Sequence, residues 1–219
     1  MGIVHIPRTV AASLRGYLKR RLSPLPENEA SLIGFGPNRP PHIYKSRAGL
    51  FDIDLMGHMN NASYLTHAEL ARWEWSAANG VLSKCIKSKT FFIVTASTVR
   101  FRREIGPLQK FKIETRLGGI DERNMWVYHT FHNAPNEGKG KILAQIFTQA
   151  VMTKKGRPIN PLSWLEEHFP LTEDVLEDVS RLSSGKVDDL LFDEKATRFT
   201  HLEDVLRKSA ALHDEKVTK

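Results

Sequence analysis

Between Ser63 and Asn79, Tyr64, Ala68, Ala71, Trp75 and Ala78 recur at spacings of three and four, the period of one apolar face of an α-helix. Gly80 follows at the position where a left-handed cap costs least. Small residues alternate with large ones on that face, so a sheet can close tightly against it. After the helix the period falls from about 3.6 to 2. "TFFIVTASTVRF" is β-branched and aromatic, and "KFKIETRL" sets Phe111, Ile113 and Thr115 against Lys112, Glu114 and Arg116. "NMWVYHTFH" alternates Trp126, Tyr128 and Thr130 with Val127, His129 and Phe131, and "KILAQIFTQAVMT" is the longest run. Gly106-Pro107, Gly118-Gly119 and "NAPNEGKGK" separate them with turn residues. Residues 43 to 50 supply a further strand ahead of the helix. One long helix followed by strands on short links predicts an antiparallel sheet and an α+β fold.

The ends of the chain differ from this middle. Residues 1 to 41 form a basic extension and linker, 42 to 165 the core domain, and 166 to 219 an acidic, partly helical extension. Residues 161 to 219 hold 8 Lys/Arg against 14 Asp/Glu, and residues 1 to 160 hold 24 against 11. The basic body invites anionic partners, but RNP-like motifs, zinc-finger spacings and basic heptads are lacking, so nucleic acid is not expected. The first 26 residues carry five Arg/Lys and no acid. Val10, Leu14, Tyr17, Leu18 and Leu22 fall near one side of a helix there, with Arg15, Lys19 and the following arginines largely off it. That pattern reads either as a mitochondrial presequence or as a basic arm resting on the protein or on a membrane surface. The expected location is mitochondrial, with cytoplasmic as the alternative, and the segment is expected to be dispensable for folding. No run approaches the ~18 to 20 consecutive apolar residues of a membrane span. Cys85 is the single cysteine, so an intrachain disulfide is excluded, and an inert thiol is its expected role.

"FDIDLMGHMNNASYLTHAELAR" (51 to 72) concentrates polar groups at the helix mouth. Asn60 or Asn61 is explained as an ordinary N-cap. Asp54 lies ahead of the helix, Gly57 allows close backbone approach, and His58 adds a titratable donor. Glu69 lies further along, beside the apolar stripe, where it is either part of the chemistry or a buried partner of Arg72. A helix N-terminus offers unpaired N–H groups and a positive dipole end to a carbonyl oxygen that gains charge under attack. A carboxylate beside it can serve as nucleophile or as base toward water. This is an acyl-transfer site without metal or cofactor.

"DIDLMGHMNNASY", with Glu69, Ala71 and Arg72 after it, resembles the hotdog-fold thioesterases of the 4-hydroxybenzoyl-CoA thioesterase-like type, including the eukaryotic thioesterase superfamily member proteins. The resemblance covers roughly residues 43 to 160 and rests on Asp54, the His-Met-Asn-Asn run and Tyr64. It implies a long helix wrapped by an antiparallel sheet, a homodimer or homotetramer whose sites draw on two subunits, and acyl-CoA as substrate. Asp54 would be nucleophile or general base. Backbone N–H groups around Gly57 to Met59, or from the partner, would hold the thioester oxygen, and His58, Asn60 and Asn61 would position the acyl group or water. Tyr64 and Arg72 complete the matched positions. Arg100, Arg102 and Arg103 could meet the phosphates of CoA, but alternation puts Arg100 and Arg102 on one face of their strand and Arg103 on the other, so part of the cluster reads as exposed charge. The alternative is an acyl-CoA or acyl-carrier-protein binding or scaffold protein with the same fold.

Other chemistry is not encoded. A Gly-x-Ser-x-Gly elbow and a Walker loop are missing, and His129 and His132, three apart on a strand, lie on opposite faces and cannot share a metal.

Overall fold

A computed structural model describes residues 2–23, 33–35, 39–134, 140–169 and 171. The helix candidates in the acidic extension, "EDVLEDVSRL" and "HLEDVLRKSAAL", lie outside these residues. The elements are α1 (Gly2–Arg21), β1 (His42–Arg47), a 3-10 turn at Leu50–Asp52, α2 (Asn61–Ala78), α3 (Val81–Ser88), β2 (Thr90–Phe101), β3 (Lys110–Ile120), β4 (Asn124–Asn133), β5 (Ile142–Lys154), β6 (Arg157–Ile159) and α4 (Pro161–His168).

The strands form one antiparallel sheet ordered β1-β3-β4-β5-β2, with β6 paired to β5. Alternation fixes which side faces in. Phe111, Ile113 and Thr115 of β3, Val127, His129 and Phe131 of β4, and Ala144, Ile146 and Thr148 of β5 are all buried. They meet Tyr64, Ala68, Ala71, Trp75 and Ala78 of α2, also all buried. Phe111 and Phe131 stack at 5.8 Å, and Tyr64 packs against Phe131 and Phe101 at 5.4 and 5.0 Å. Burying each of the Phe111, Phe131 and Tyr64 rings stabilises the fold by roughly 1.5–3 kcal/mol. A second cluster around Trp75, Leu117, Met152 and Trp164 fills the other end of the helix, where Gly80 takes a left-handed φ of 84° and starts α3.

The other side of α2 carries α1. The basic N-terminal segment is therefore a helix that rests on the protein. Arg15 Nε and Lys19 Nζ reach the buried Glu74 carboxylate at 3.1 and 2.5 Å, and His42 Nε2 stands 3.2 Å from it. Burial alone would raise the Glu74 pKa, but the His42 hydrogen bond and the Lys19 contact outweigh it and keep the group ionised. Ala12 is fully buried, and a Cβ at Gly16 would lie 2.2 Å from the Glu74 carbonyl oxygen. Only glycine lets the helices approach this closely.

Candidate active site

The segment between the 3-10 turn and α2 folds back on itself. Ile53 bridges Met59, the Asp54 N–H donates to the His58 carbonyl (2.9 Å), and the Gly57 N–H donates to the Asp54 carbonyl (3.1 Å). Gly57 closes the turn at a φ of 81°, and a Cβ there would meet nothing within 4 Å. Within the protein the glycine is needed for its backbone angle rather than for space. Leu55 and Met56 form the exposed tip.

Asp54 sits at the base of this turn. Its Oδ1 accepts from the Met56 N–H at 2.9 Å, and its Oδ2 lies 3.6 Å from His58 Nδ1. Both side chains are about one-third exposed, at 33 % for Asp54 and 31 % for His58. The pair is therefore oriented yet open to a substrate. α2 begins shortly after, at Asn61; the Ser63 N–H is capped by Asn60, and the helix carries its positive dipole end at this N-terminus.

Of the N–H groups at Gly57, His58 and Met59, two are spent on the fold. Gly57 donates within the turn and Met59 donates to the Ile105 carbonyl at 2.8 Å. His58 is the member of that run without a backbone acceptor among the described residues. The Met59 side chain is buried in the core beside Tyr64. Asn60 is the N-cap: its Oδ1 accepts from the Ser63 N–H (2.9 Å) and its Nδ2 donates to the Asp52 carbonyl (3.0 Å). Its amide is thus occupied, and Asn61, exposed at the first helical position, is the asparagine open to solvent at the mouth.

The remaining expected residues do not gather here. Tyr64 is a core ring, with its hydroxyl raised in pKa chiefly by burial. Glu69 faces α1, with His5 Nε2 at 3.2 Å and Trp73 Nε1 at 3.4 Å. Its charge favours the ionised Arg72 from a distance, but burial is the larger influence and lowers that guanidinium's pKa. Arg72 reaches inward to Thr148 Oγ1 (3.5 Å) on the inner side of the sheet. Arg100 and Arg102 are exposed, and both lie near the Tyr128 hydroxyl. Arg102 is three residues before Ile105, whose carbonyl anchors Met59.

A second carboxylate, two residues upstream, has the opposite environment. Asp52 has a side chain only 8 % exposed, Oδ2 lies 3.0 Å from His67 Nε2, the Gly49 N–H donates to it at 2.8 Å, and Arg8 Nη1 stands 3.7 Å away. Burial alone would raise its pKa. The His67 and Gly49 hydrogen bonds and the charges of His67 and Arg8 reverse this and bring it down to about 2. Asp52 is a fixed structural anion that anchors the turn, whereas Asp54 is the free one. Sequence reasoning missed His67 and Arg8. The available signal was a histidine one position off the apolar stripe.

The sequence profile of the thioesterase-like superfamily matches residues 49–179, which contain the turn, α2 and the whole sheet from β2 onward. The chain belongs to the thioesterase-like superfamily. It is 28 % identical to protein THEM6 of Danio rerio over 137 residues, covering 63 % of this chain and 66 % of that protein. It is 26 % identical to the thioesterase lcsJ of Purpureocillium lilacinum over 184 residues, covering 73 % of this chain and 59 % of that one. The chain thus spans less than two thirds of the length of these curated relatives. In architecture it resembles the YbaW probable thioesterase from Escherichia coli, with a TM-score of 0.52 at 18 % identity over 63 % of this chain and 98 % of that one. A hypothetical protein of Aquifex aeolicus gives 0.51 at 17 % identity, over 64 % and 99 %. The superfamily's hotdog fold is what the sheet and α2 form here.

Proposed function

We propose that the protein is an acyl-CoA thioesterase, hydrolysing a thioester to a free acid and CoA. The observation that carries this reading is the Asp54–His58 pair, held by the Gly57 turn at the open N-terminus of α2. Asp54 acts as the general base. It takes a proton from a water as the water oxygen attacks the thioester carbonyl carbon. The oxyanion that forms faces the positive end of α2 and the His58 N–H. Collapse of the tetrahedral species breaks the C–S bond, CoA leaves as the thiolate and takes up the proton, and the acid departs. His58 orients the Asp54 carboxylate, and Asn61, exposed at the first position of α2, binds the attacking water. In direct attack an Asp54 oxygen bonds to the carbonyl carbon, the C–S bond breaks to release the thiolate, and water then hydrolyses the mixed anhydride to free the acid and Asp54.

The functional unit in this reading is a homodimer. β2 is an edge strand of 12 residues paired only with β5 among the described residues. It exposes Phe91, Ile93, Val94 and Phe101 by 44 to 63 %, a long apolar edge of the kind that a monomer would be expected to blunt or cover. Pairing with a second copy covers it and brings a partner surface toward the site. The name of the lcsJ relative supports the reaction class.

The test is thiol release from CoA thioesters of graded acyl length and of aromatic acyl type, with size measured in parallel by light scattering. Turnover of at least one thioester by a dimer or tetramer is expected. Retained acyl-CoA binding with no turnover of any would instead make the protein an acyl-binding module.

A further inference from the structure

An ordinary surface helix turns its apolar side inward. α1 does the reverse. Its cationic side faces the protein: His5 meets Glu69, Arg8 meets Asp52, and Arg15 and Lys19 meet Glu74, with Ala12 and Gly16 at the contact. The opposite side carries Ile6, Val10, Leu14, Tyr17, Leu18 and Leu22, each 52 to 78 % exposed. Their spacing of three and four makes one continuous apolar stripe about 24 Å long at 1.5 Å per residue. Single exposed apolar residues need no explanation, but a row of six on one element does.

Cations border this stripe. Exposed Arg21 lies among the stripe residues, with its Nη1 3.3 Å from the Tyr17 hydroxyl. α1 also leans on β1, through Lys19 Nζ to the Ile43 carbonyl (2.8 Å) and Arg15 over the Tyr44 ring (4.9 Å). Arg15 and Lys19, half-exposed at 50 and 48 %, flank the stripe. The helix itself holds no acid. A second copy laid against the stripe by a two-fold would set these cations against their own kind, whereas an anionic lipid surface complements both the stripe and its border. No described helix is long and apolar enough to cross a membrane, so a helix lying in the interface is the arrangement that fits.

We propose that the outward face of α1 docks the protein on an anionic membrane surface. The stripe enters the headgroup and acyl boundary, and Arg21 contacts lipid phosphates. The inner cations stay paired with Glu74 and Asp52, so docking does not require α1 to leave α2.

The test uses the full chain and sedimentation with vesicles of phosphatidylcholine alone and of phosphatidylcholine mixed with phosphatidylglycerol. No thioester is present, so the outcome is independent of the catalytic reading. Wild type is expected to sediment with the mixed vesicles and more weakly with phosphatidylcholine. Val10→Gln with Leu14→Gln should lower partitioning at least roughly tenfold on both, with an unchanged thermal midpoint. Arg21→Gln should lower it on the anionic vesicles alone. Wild type left in the supernatant with both compositions, or a double variant that binds as well as wild type, would overturn the proposal. Lipid-free association that the double variant abolishes, without vesicle binding, would assign the face to a second copy.

Discussion

Asp52 allows the cost of one buried ion cluster to be worked out. Its carboxyl is held at about 2 against an ordinary value of 3.8, because His67, the Gly49 N–H and Arg8 together overcome the effect of burial. A depressed folded-state value means that the stabilisation is fully present above the unfolded-state value and is lost as pH falls toward the folded one. At 1.36 kcal/mol per pKa unit, the difference corresponds to about 2.4 kcal/mol above pH 5. Half of this, about 1.3 kcal/mol, should remain at pH 3. Asp52→Asn keeps the shape and removes the charge, so urea unfolding at pH 7 should find it less stable by about 2–3 kcal/mol. The gap to wild type should narrow by about 1 kcal/mol when the titration is repeated at pH 3. A gap of the same size at both pH values would refute the reasoning, because a neutral packing defect does not titrate.

Three further outcomes follow from single sites. Gly16→Ala raises helix propensity, yet it places a Cβ 2.2 Å from the Glu74 carbonyl oxygen, so thermal unfolding should show a net loss of about 1–3 kcal/mol. At Gly57, where φ is 81° and space is free, alanine should lower turnover more than asparagine, since asparagine tolerates that angle better; steady-state rates of the two variants decide it. The Cys85 thiol, buried and pushed up to about 11 chiefly by that burial, should resist a disulfide reagent at pH 8 in the native state and react once denaturant is added.

The long elements were legible in the sequence because their periods run far enough to be unambiguous. α2 shows its stripe over five positions, and the inner faces of β3 and β4 were read from simple alternation. α3, α4 and β6 were not read, since elements of eight, eight and three residues carry too few repeats to stand out from loops. The orientation of α1 was beyond any reading of α1 itself. A helical wheel separates its basic and apolar sides, but which side faces in is set by Glu74 and Asp52, acids far away in sequence. The site divides similarly. That Asp54, Gly57 and His58 share one tight turn was legible because they are neighbours in sequence. The contrast between Asp52 and Asp54 was not, because the two differ only in what the fold puts beside them: His67 and Arg8 for one, the open turn for the other. The inward course of Arg72 was hidden for the same reason, since the sequence does not say that its side chain runs to Thr148.

Asp54 as the residue that activates water is tested most directly by steady-state thioester hydrolysis of Asp54→Asn and Glu69→Gln beside wild type, with the thermal midpoint of each. Asp54→Asn should lose roughly a hundredfold or more in turnover while its midpoint stays near wild type, because its carboxylate is partly exposed and makes only local contacts. Glu69→Gln should keep turnover within a few-fold and shift mainly the midpoint, since its partners are His5 and Trp73. A folded Glu69→Gln without activity beside an Asp54→Asn that retains it would reverse the two roles and contradict the account.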